Sequence, residues 1–426
     1  MQPVLGPFRF ILRERNFREL LGCLLLLGLV YSFVLPFFSL FCTREVGMSP
    51  VVFSVFMVVT ALAAVGTTTA LARWSDTRCS RRTILFIGCA SGALGYGLFA
   101  FVRDPRALFV IGCSILGVST ITFSQLFAYA REMIQRSSLP PSEAPLYLNV
   151  FRLSYALAWT AGPPLASWTL AKFGFRGTFL SAAGLYLALF VAVSFVVPHL
   201  PPAPRTRTSA PPLWRSLARP DLLAAFAGLA LLFAAGTMNM LNLPLLVVES
   251  LGGTLREVGW VYSIAPAFEL PLMFYFGLLA SRGHQARLIR AGALIALFYY
   301  AGLFLVRAPW QIYPLQLLSA ALISITSGVA ISYFQDFLPD QPGTATNLFS
   351  SSSRLGAMIG YLAFGGFVPV TGHRGLYLVC TGLSALTAVV FFIRWRRTVP
   401  AAAGAPAGEP APNPLVSGAA ASAVKR

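Results

Sequence analysis

Uncharged apolar segments of membrane-spanning length recur along most of this chain of 426 residues. Residues 84–101, for example, contain no charged side chain. A helix of about twenty apolar residues crosses the hydrocarbon core of a bilayer, and its backbone polar groups then pair within the helix itself. Because 57% of the residues are hydrophobic and only 11% are charged, the sequence predicts an all-α membrane protein.

The apolar segments number twelve, and short polar connections separate most of them. The net charge of +18 could indicate a nucleic-acid-binding protein, but most of the 32 arginines and lysines lie near the termini and in alternate connections. The positive-inside rule places such segments in the cytoplasm. We therefore expect a multi-pass protein of the cell inner membrane, surrounded by lipid, with both termini cytoplasmic and no nucleic-acid partner.

A proline-rich segment separates the first six apolar segments from the last six. Proline at this density cannot continue a helix and lacks the donor that a sheet needs. The predicted boundaries are an N-terminal six-helix bundle at 1–198, a cytoplasmic linker at 199–220, a C-terminal six-helix bundle at 221–397 and a disordered cytoplasmic tail at 398–426. Because one chain contains both bundles, we expect it to function as a monomer.

The two halves also share short sequences in register. Arg152-Leu153 recurs as Arg354-Leu355 after 202 residues, and Arg131-Glu132 corresponds to Gln335-Asp336 after 204. Duplicated six-helix halves are typical of secondary transporters, whose substrate site lies between the halves near the bilayer midplane. The repeats predict two pseudo-symmetric bundles around such a site.

The loop after the second helix carries the motif that points to a family. Ser75-Asp76 is followed, after four residues, by Arg81-Arg82. This pattern resembles the loop signature of the major facilitator superfamily, although Ala72 replaces the usual glycine and the basic pair comes one residue late. The spacing resembles the Set family of bacterial sugar efflux transporters more closely. The resemblance implies the major facilitator fold and the export of sugars or glycosides by proton antiport with alternating access, without a cofactor.

Other stretches resemble the same family, among them Arg44-Glu45-Val46-Gly47 and Phe334-Gln335-Asp336. Gly162-Pro163-Pro164 resembles an element common in antiporters of the superfamily, which favours efflux over uptake. In the superfamily the loop aspartate packs against the end of helix 11 and pairs with basic groups, which closes the cytoplasmic side. The resemblance therefore implies a cytoplasmic gate; its candidate residues are Asp76, Arg78, Arg81, Arg82, Arg131 and Asp336. The alternative is a solvated turn that only follows the positive-inside rule.

Glu269 is an acid deep within the eighth apolar segment. A charge at such a depth costs at least ~2.5–3.5 kcal/mol, so ionisable residues there usually face a cavity and mark an ion pathway. Burial favours the neutral form of a carboxyl group, which suits reversible protonation. Pro266 and Pro271 bracket it and each removes a helical hydrogen bond. We interpret Glu269 as the proton-coupling or sugar-contacting carboxylate; the alternative is a structural hydrogen bond to a neighbouring helix.

Sugar recognition requires amides for the hydroxyl groups and aromatic rings for the apolar face of the pyranose. The candidate substrate-binding residues are Tyr31, Gln125, Arg152, Tyr155, Trp159, Asn239, Asn242, Glu269, Gln316 and Asn347. Each of them could instead form a bond between helices or lie at the membrane interface. Arg152, like Arg354 in the other half, could also extend its charged end to the membrane surface.

Two other functions remain open from the sequence. The same fold could export drugs or other small metabolites, and a cavity rich in Phe and Met but poor in amides would favour this. A polytopic sensor or scaffold would transport nothing. An enzyme is not expected, because the apolar segments contain no nucleophile set or paired acids. The three histidines lie in loops and form no metal-ligand pattern, so no metal or other cofactor is predicted.

Overall fold

The computed structural model describes residues 14–77, 80–137, 144–197, 217–339 and 341–398, and these ranges are almost entirely helical. Nine helical spans in them are long and apolar enough to cross a membrane. Three of these spans turn sharply at a glycine with positive φ, at Gly174, Gly283 and Gly372. Each of the three is therefore two consecutive helices, which gives twelve helices in the described ranges. Most of the predicted linker and tail lies outside those ranges.

The first bundle contains helices α1 to α6. Their bounds are α1 Arg15–Leu40, α2 Pro50–Thr77, α3 Arg81–Phe99, α4 Pro105–Arg136, and the run Ala144–Val196, in which Gly174 separates α5 from α6. The second bundle contains α7 to α12. Their bounds are α7 Pro220–Leu245, α8 Leu255–Leu279, α9 Gln285–Leu305, α10 Pro309–Phe337, and the run Pro342–Thr398, in which Gly372 separates α11 from α12.

Local sequence signals explain where several helices begin. Asp104 accepts a hydrogen bond from the backbone of Ala107 at the start of α4, and Pro105 occupies the first helical turn. Thr254 and Glu257 form a reciprocal capping box at the start of α8. These caps satisfy backbone donors that a helix end leaves unpaired. Inside α8 the helix stays unbroken through both of its prolines.

The two bundles share their irregularities, as a duplication predicts. Helix α1 ends in a π-helical turn, Phe41–Glu45, followed by Gly47 at φ 76°. Helix α7 ends in the same way, with the turn Leu246–Ser250 followed by Gly252 at φ 65°. Both glycines adopt a backbone conformation that other residues rarely tolerate. The prediction of two pseudo-symmetric six-helix bundles is confirmed.

Glycines allow the closest contacts between the two bundles. A Cβ atom added to Gly259 of α8 would lie 2.9 Å from the carbonyl oxygen of Pro163 in α5. One added to Gly365 of α11 would lie 3.2 Å from the carbonyl oxygen of Pro50 in α2. Small residues permit such backbone approach in membrane helices. The bundles therefore meet along two related seams, α5 with α8 and α2 with α11.

Further contacts close the same end of the molecule. Ser263 of α8 donates a hydrogen bond to the carbonyl oxygen of Thr160 in α5. The rings of Phe53 and Phe364 meet edge to face, with 5.9 Å between their centroids. All of these contacts lie toward the ends of α1 and α7 that the π-helical turns mark. We call this end the His373 end, after the histidine between α11 and α12, and the opposite end, where α3 begins, the Arg81 end.

Within the second bundle, Gly360 of α11 packs directly on α7. A Cβ atom there would lie 2.6 Å from the Ala234 carbonyl oxygen and 2.7 Å from the Thr237 Cβ atom. We expect Gly360→Val to lower the free energy of unfolding by about 1–3 kcal/mol, because overpacking forces the helices apart. The measurement is the midpoint of thermal unfolding in detergent. Gly382→Val in α12 is the matched control, since nothing lies within 4 Å of that position; equal losses in both variants would contradict the packing argument.

Candidate functional site

A cavity of about 430 Å³ lies between α5 of the first bundle and α7 to α10 of the second. On α8 its lining runs from Tyr262 to Glu269, past Gly259, so the contacts of the His373 end close it on that side. Its polar and aromatic lining residues are Tyr155, Trp159, Phe233, Asn239, Tyr262, Glu269, Tyr299, Tyr300, Gln316, Ser319, Thr326 and Ser327. The fold thus gathers polar groups from five helices at one place between the bundles.

Five of the predicted substrate-binding residues line this cavity together, namely Tyr155, Trp159, Asn239, Glu269 and Gln316. Sequence reasoning missed the cavity tyrosines Tyr262, Tyr299 and Tyr300. A signal was present, because tyrosines usually lie at the membrane interface, whereas Tyr299-Tyr300 follows eight residues of α9, 291–298, that contain no charge. Two adjacent tyrosines at such a depth indicate a polar interior.

A chain of hydrogen bonds orients both cavity amides. The Tyr377 hydroxyl donates to Asn239 Oδ1 at 3.2 Å, and Asn239 Nδ2 donates to the Tyr299 hydroxyl oxygen at 3.3 Å. Gln316 Nε2 approaches the same Tyr299 oxygen at 3.5 Å. Tyr377 and Tyr299 are fully buried. The two buried tyrosines therefore hold the amides in place before any ligand arrives. The described part of the chain places no donor on the Gln316 carbonyl oxygen, which leaves it to a ligand.

Glu269 lines the cavity from α8 between the two prolines of that helix. The hydroxyl of Ser324 donates to the backbone carbonyl oxygen of Glu269 at 3.1 Å, which anchors the helix to α10. The described residues place no hydrogen-bond donor or cation on the Glu269 carboxyl group. The carboxyl group is thus available to a proton or to a ligand hydroxyl group.

The remaining predicted substrate-binding residues lie elsewhere. Tyr31 lines a second cavity of about 200 Å³, which α1 to α4 of the first bundle and Tyr361 of α11 enclose, and its ring centroid is 6.5 Å from that of Tyr155. Gln125 is buried beside Arg81, and Asn242 is buried beside His373. Asn347 is exposed near the start of α11. The side chain of Arg152 falls outside the described residues, and Arg354 is exposed.

At the Arg81 end, the described gate candidates pair within the first bundle. Arg81 Nε lies 3.2 Å from Glu132 Oε2, and Arg81 Nη1 donates to Gln125 Oε1 at 2.9 Å. Arg82 donates to the Ser194 carbonyl oxygen at 2.6 Å. The other gate candidates are exposed, as with Arg131 and Asp336, or fall outside the described side chains, as with Asp76 and Arg78.

The His373 end carries a polar network that links the two bundles. Arg44 Nε of the first bundle lies 3.0 Å from Glu249 Oε1 of the second. Glu249 Oε2 lies 3.1 Å from His373 Nε2, and His373 Nδ1 lies 2.7 Å from Asn242 Oδ1. Sequence reasoning missed this cluster because its four residues come from three distant segments. The only sequence signal was the Arg44-Glu45 pair in the family resemblance.

Comparison with known proteins identifies the family. The Major Facilitator Superfamily profile matches residues 20–346 and 226–426, and the chain belongs to this superfamily of membrane transporters. The protein is thus a multi-pass membrane transporter, and the predicted family and fold are confirmed.

Relatives and solved structures agree with that assignment. A Deinococcus radiodurans protein that carries a sugar-efflux name is 33% identical over 368 residues, 84% of this chain and 93% of its own length. Sugar efflux transporter A of Dickeya chrysanthemi is 30% identical over 371 residues, 87% of this chain and 93% of its own. The solved nucleoside transporter NupG covers 90% of this chain and 100% of its own at 15% identity and a TM-score of 0.71, which shows a shared fold.

The exposure of Glu269 to the cavity gives a chemical test. We expect a membrane-soluble carbodiimide to modify Glu269, and more slowly as the pH rises, because the protonated carboxyl group reacts and is the form that burial favours. Mass spectrometry of peptides from the labelled protein measures the rate. Glu249, which is bound to Arg44 and His373, is the internal reference and should react more slowly at every pH. If Glu249 were labelled faster than Glu269, the inference that the Glu269 carboxyl group is available to a proton or a ligand would be wrong.

Proposed function

We propose that this transporter exports sugars or glycosides across the inner membrane by proton antiport with alternating access. The observation that carries the proposal is the cavity between the bundles, which combines two oriented amides, several aromatic rings and one carboxyl group. Its volume of about 430 Å³ falls within the range of ~300–1,000 Å³ that is typical of small-molecule sites.

The cavity has the chemistry that a sugar needs. Asn239 and Gln316 supply donors and acceptors for hydroxyl groups, and Trp159 and Tyr155 supply aromatic faces on the opposite wall. Both amides belong to the second bundle and both rings to the first, so a bound sugar would touch both halves. The sugar-efflux names of the relatives support the same substrate class.

Glu269 is the proposed proton-coupling residue. It lies within the membrane-spanning part of α8 and faces the cavity that the sugar would occupy. A sugar and a proton can then compete for one site, and such competition is what an antiporter requires. Binding of the sugar hydroxyls would favour release of the proton, while an empty cavity would favour its uptake.

The proposed orientation follows from charge. The positive-inside rule places the arginine-rich Arg81 end and both termini in the cytoplasm and the His373 end outside. In that orientation the contacts of the His373 end close the external side. Export then requires these contacts to separate while the Arg81 end closes, and Asp76, Arg78, Arg81, Arg82, Arg131 and Asp336 are the proposed cytoplasmic gate.

A second cargo class is favoured by the smaller cavity, which lies between α1 to α4 and Tyr361 of α11. Phe38, Phe56, Met57 and Phe99 contribute to its lining, which contains no amide side chain. This is the composition expected for amphipathic drugs or other small apolar metabolites. The two cavities therefore predict different cargo, and flux measurements can separate them.

The test is transport by the purified protein in proteoliposomes, with a panel of radiolabelled sugars and with tetraphenylphosphonium as a hydrophobic cation. We expect an imposed pH gradient to drive sugar against its concentration gradient. Glu269→Gln should abolish this accumulation but leave downhill sugar exchange, because only the proton is lost.

Asn239→Ala should raise the KM for sugar, because the amide no longer meets a hydroxyl group. If the protein transported the hydrophobic cation but no sugar, the sugar proposal would be wrong and the second cargo class would take its place.

The gate proposal has its own test. We expect Asp76→Asn to reduce sugar flux strongly without lowering the amount of protein in the membrane, because the closed cytoplasmic state loses its carboxylate. Immunoblotting of membranes controls for expression. Arg307→Gln, in the connection between α9 and α10 at the other end of the molecule, is the comparison variant, and it should transport normally. Full flux in Asp76→Asn would remove this loop from the gate.

A further inference from the structure

The surroundings of His373 are those of an imidazole that can bind a second proton. Its Nδ1 lies 2.7 Å from Asn242 Oδ1, and its Nε2 lies 3.1 Å from Glu249 Oε2. The orientation of Asn242 is fixed, because its Nδ2 donates to the His373 backbone carbonyl oxygen at 2.7 Å. Both ring nitrogens therefore face acceptor oxygens. A neutral imidazole can donate to only one of them, whereas an imidazolium can donate to both.

The same carboxylate connects the two bundles. Glu249 uses Oε1 for Arg44 of the first bundle and Oε2 for His373 of the second. A neutral His373 leaves the Arg44–Glu249 pair balanced in charge. A protonated His373 places two cations on one carboxylate, so that Arg44 meets a like charge and shares its partner.

We propose that His373 is a proton-binding site in the outer gate, at which a proton taken up from the outside weakens the Arg44–Glu249 pair and opens the His373 end. The inference rests on the alternating access proposed above and adds a proton site separate from Glu269. The proton would arrive from the side on which the cargo is released. External acid would then favour the state that releases cargo.

The energetics of burial act in the same direction. His373 lies in the connection between α11 and α12, and its burial, opposed by Glu249 and reinforced by Arg44, lowers its pKa below the ordinary value. Separation of the bundles removes Arg44 and returns the imidazole to water, so its pKa rises toward the ordinary value. The closed end therefore binds the proton more weakly than the open end does. Because the open state binds the proton more tightly, lowering the pH favours the open state of the His373 end, and raising the pH favours its closed state.

The nearby Glu45–Arg103 pair does not take the place of His373 in the proposed pH response. Glu249, in the π-helical turn that follows α7, and Arg44, in the π-helical turn that follows α1, are the charged groups that act on the imidazole. The nearby Glu45 pairs with Arg103 at 3.1 Å, and both belong to the first bundle. That pair does not cross the seam, so His373 and its two charged neighbours are the titratable unit of the proposed switch.

The test is a distance measurement across the seam at two pH values. Spin labels are placed on cysteines at Val51 and Val370, which are exposed near the ends of α2 and α11, in a chain with Cys79 and Cys113 replaced by serine. Pulsed electron resonance in nanodiscs gives the fractions of closed and open protein. We expect the open fraction to grow from pH 8 to pH 5.5. One pKa unit between the two states changes their ratio by about tenfold.

Variants separate this site from other proton sites. His373→Gln should hold the same distribution at both pH values, and His373→Lys should be open at both because its cation is permanent. His284→Gln, at the opposite end, should respond to pH as the wild type does. Any of three results would overturn the proposal. The open fraction of the wild type does not change with pH, the open fraction of His373→Gln still changes with pH, or His373→Lys stays closed. Because no cargo is present, absence of sugar flux would not affect this result.

Discussion

The bilayer cannot hydrogen-bond to polar groups, and the rest of the structure follows from that constraint. Backbone groups pair within the twelve helices of the described ranges, and the polar side chains of those helices collect where lipid is absent. The clearest case is the cavity beside α5, where two amides, several tyrosines and Glu269 meet. A polar group is retained at that depth only where another polar group or a cargo can bind it. The cavity is thus both a consequence of the membrane and the site of the proposed transport.

Close packing of the two bundles at the His373 end closes the cavity on that side. Gly259 and Gly365 bring backbones of the two bundles together without intervening side chains, and each meets a serine and a proline carbonyl group on the opposite helix. The two contacts are related by the same duplication that relates α1 to α7. A seam built from small residues holds mainly by close fit, with the hydrogen bond from Ser263 to the Thr160 carbonyl oxygen beside it, so it can separate as a unit. The Arg44–Glu249 pair then adds a charged contact to the seam, and that contact is the part that pH can change.

Much of this was predictable from single residues. The uncharged segments predicted the helices, and the spacing of Ser75-Asp76 and Arg81-Arg82 indicated the superfamily. Five of the ten candidate binding residues do meet in one cavity, because a polar residue in an apolar helix is favourable only where lipid is absent. Asn239 and Asn242 show the limit of that reasoning. They are three residues apart on one helix, yet one faces the cavity and the other binds His373.

The sequence by itself determined the membrane, the number of helices, their duplication and the family, because each of these is a property of local composition or of spacing along the chain. Only the tertiary structure decided which polar residues act together. Tyr377 is 138 residues from the Asn239 that it orients, and Arg44 is 205 residues from the Glu249 that it binds. Contacts at such separations depend on how helices pack across two bundles. Hydrophobic periodicity records that a helix has a buried face, but it does not record which helix covers that face.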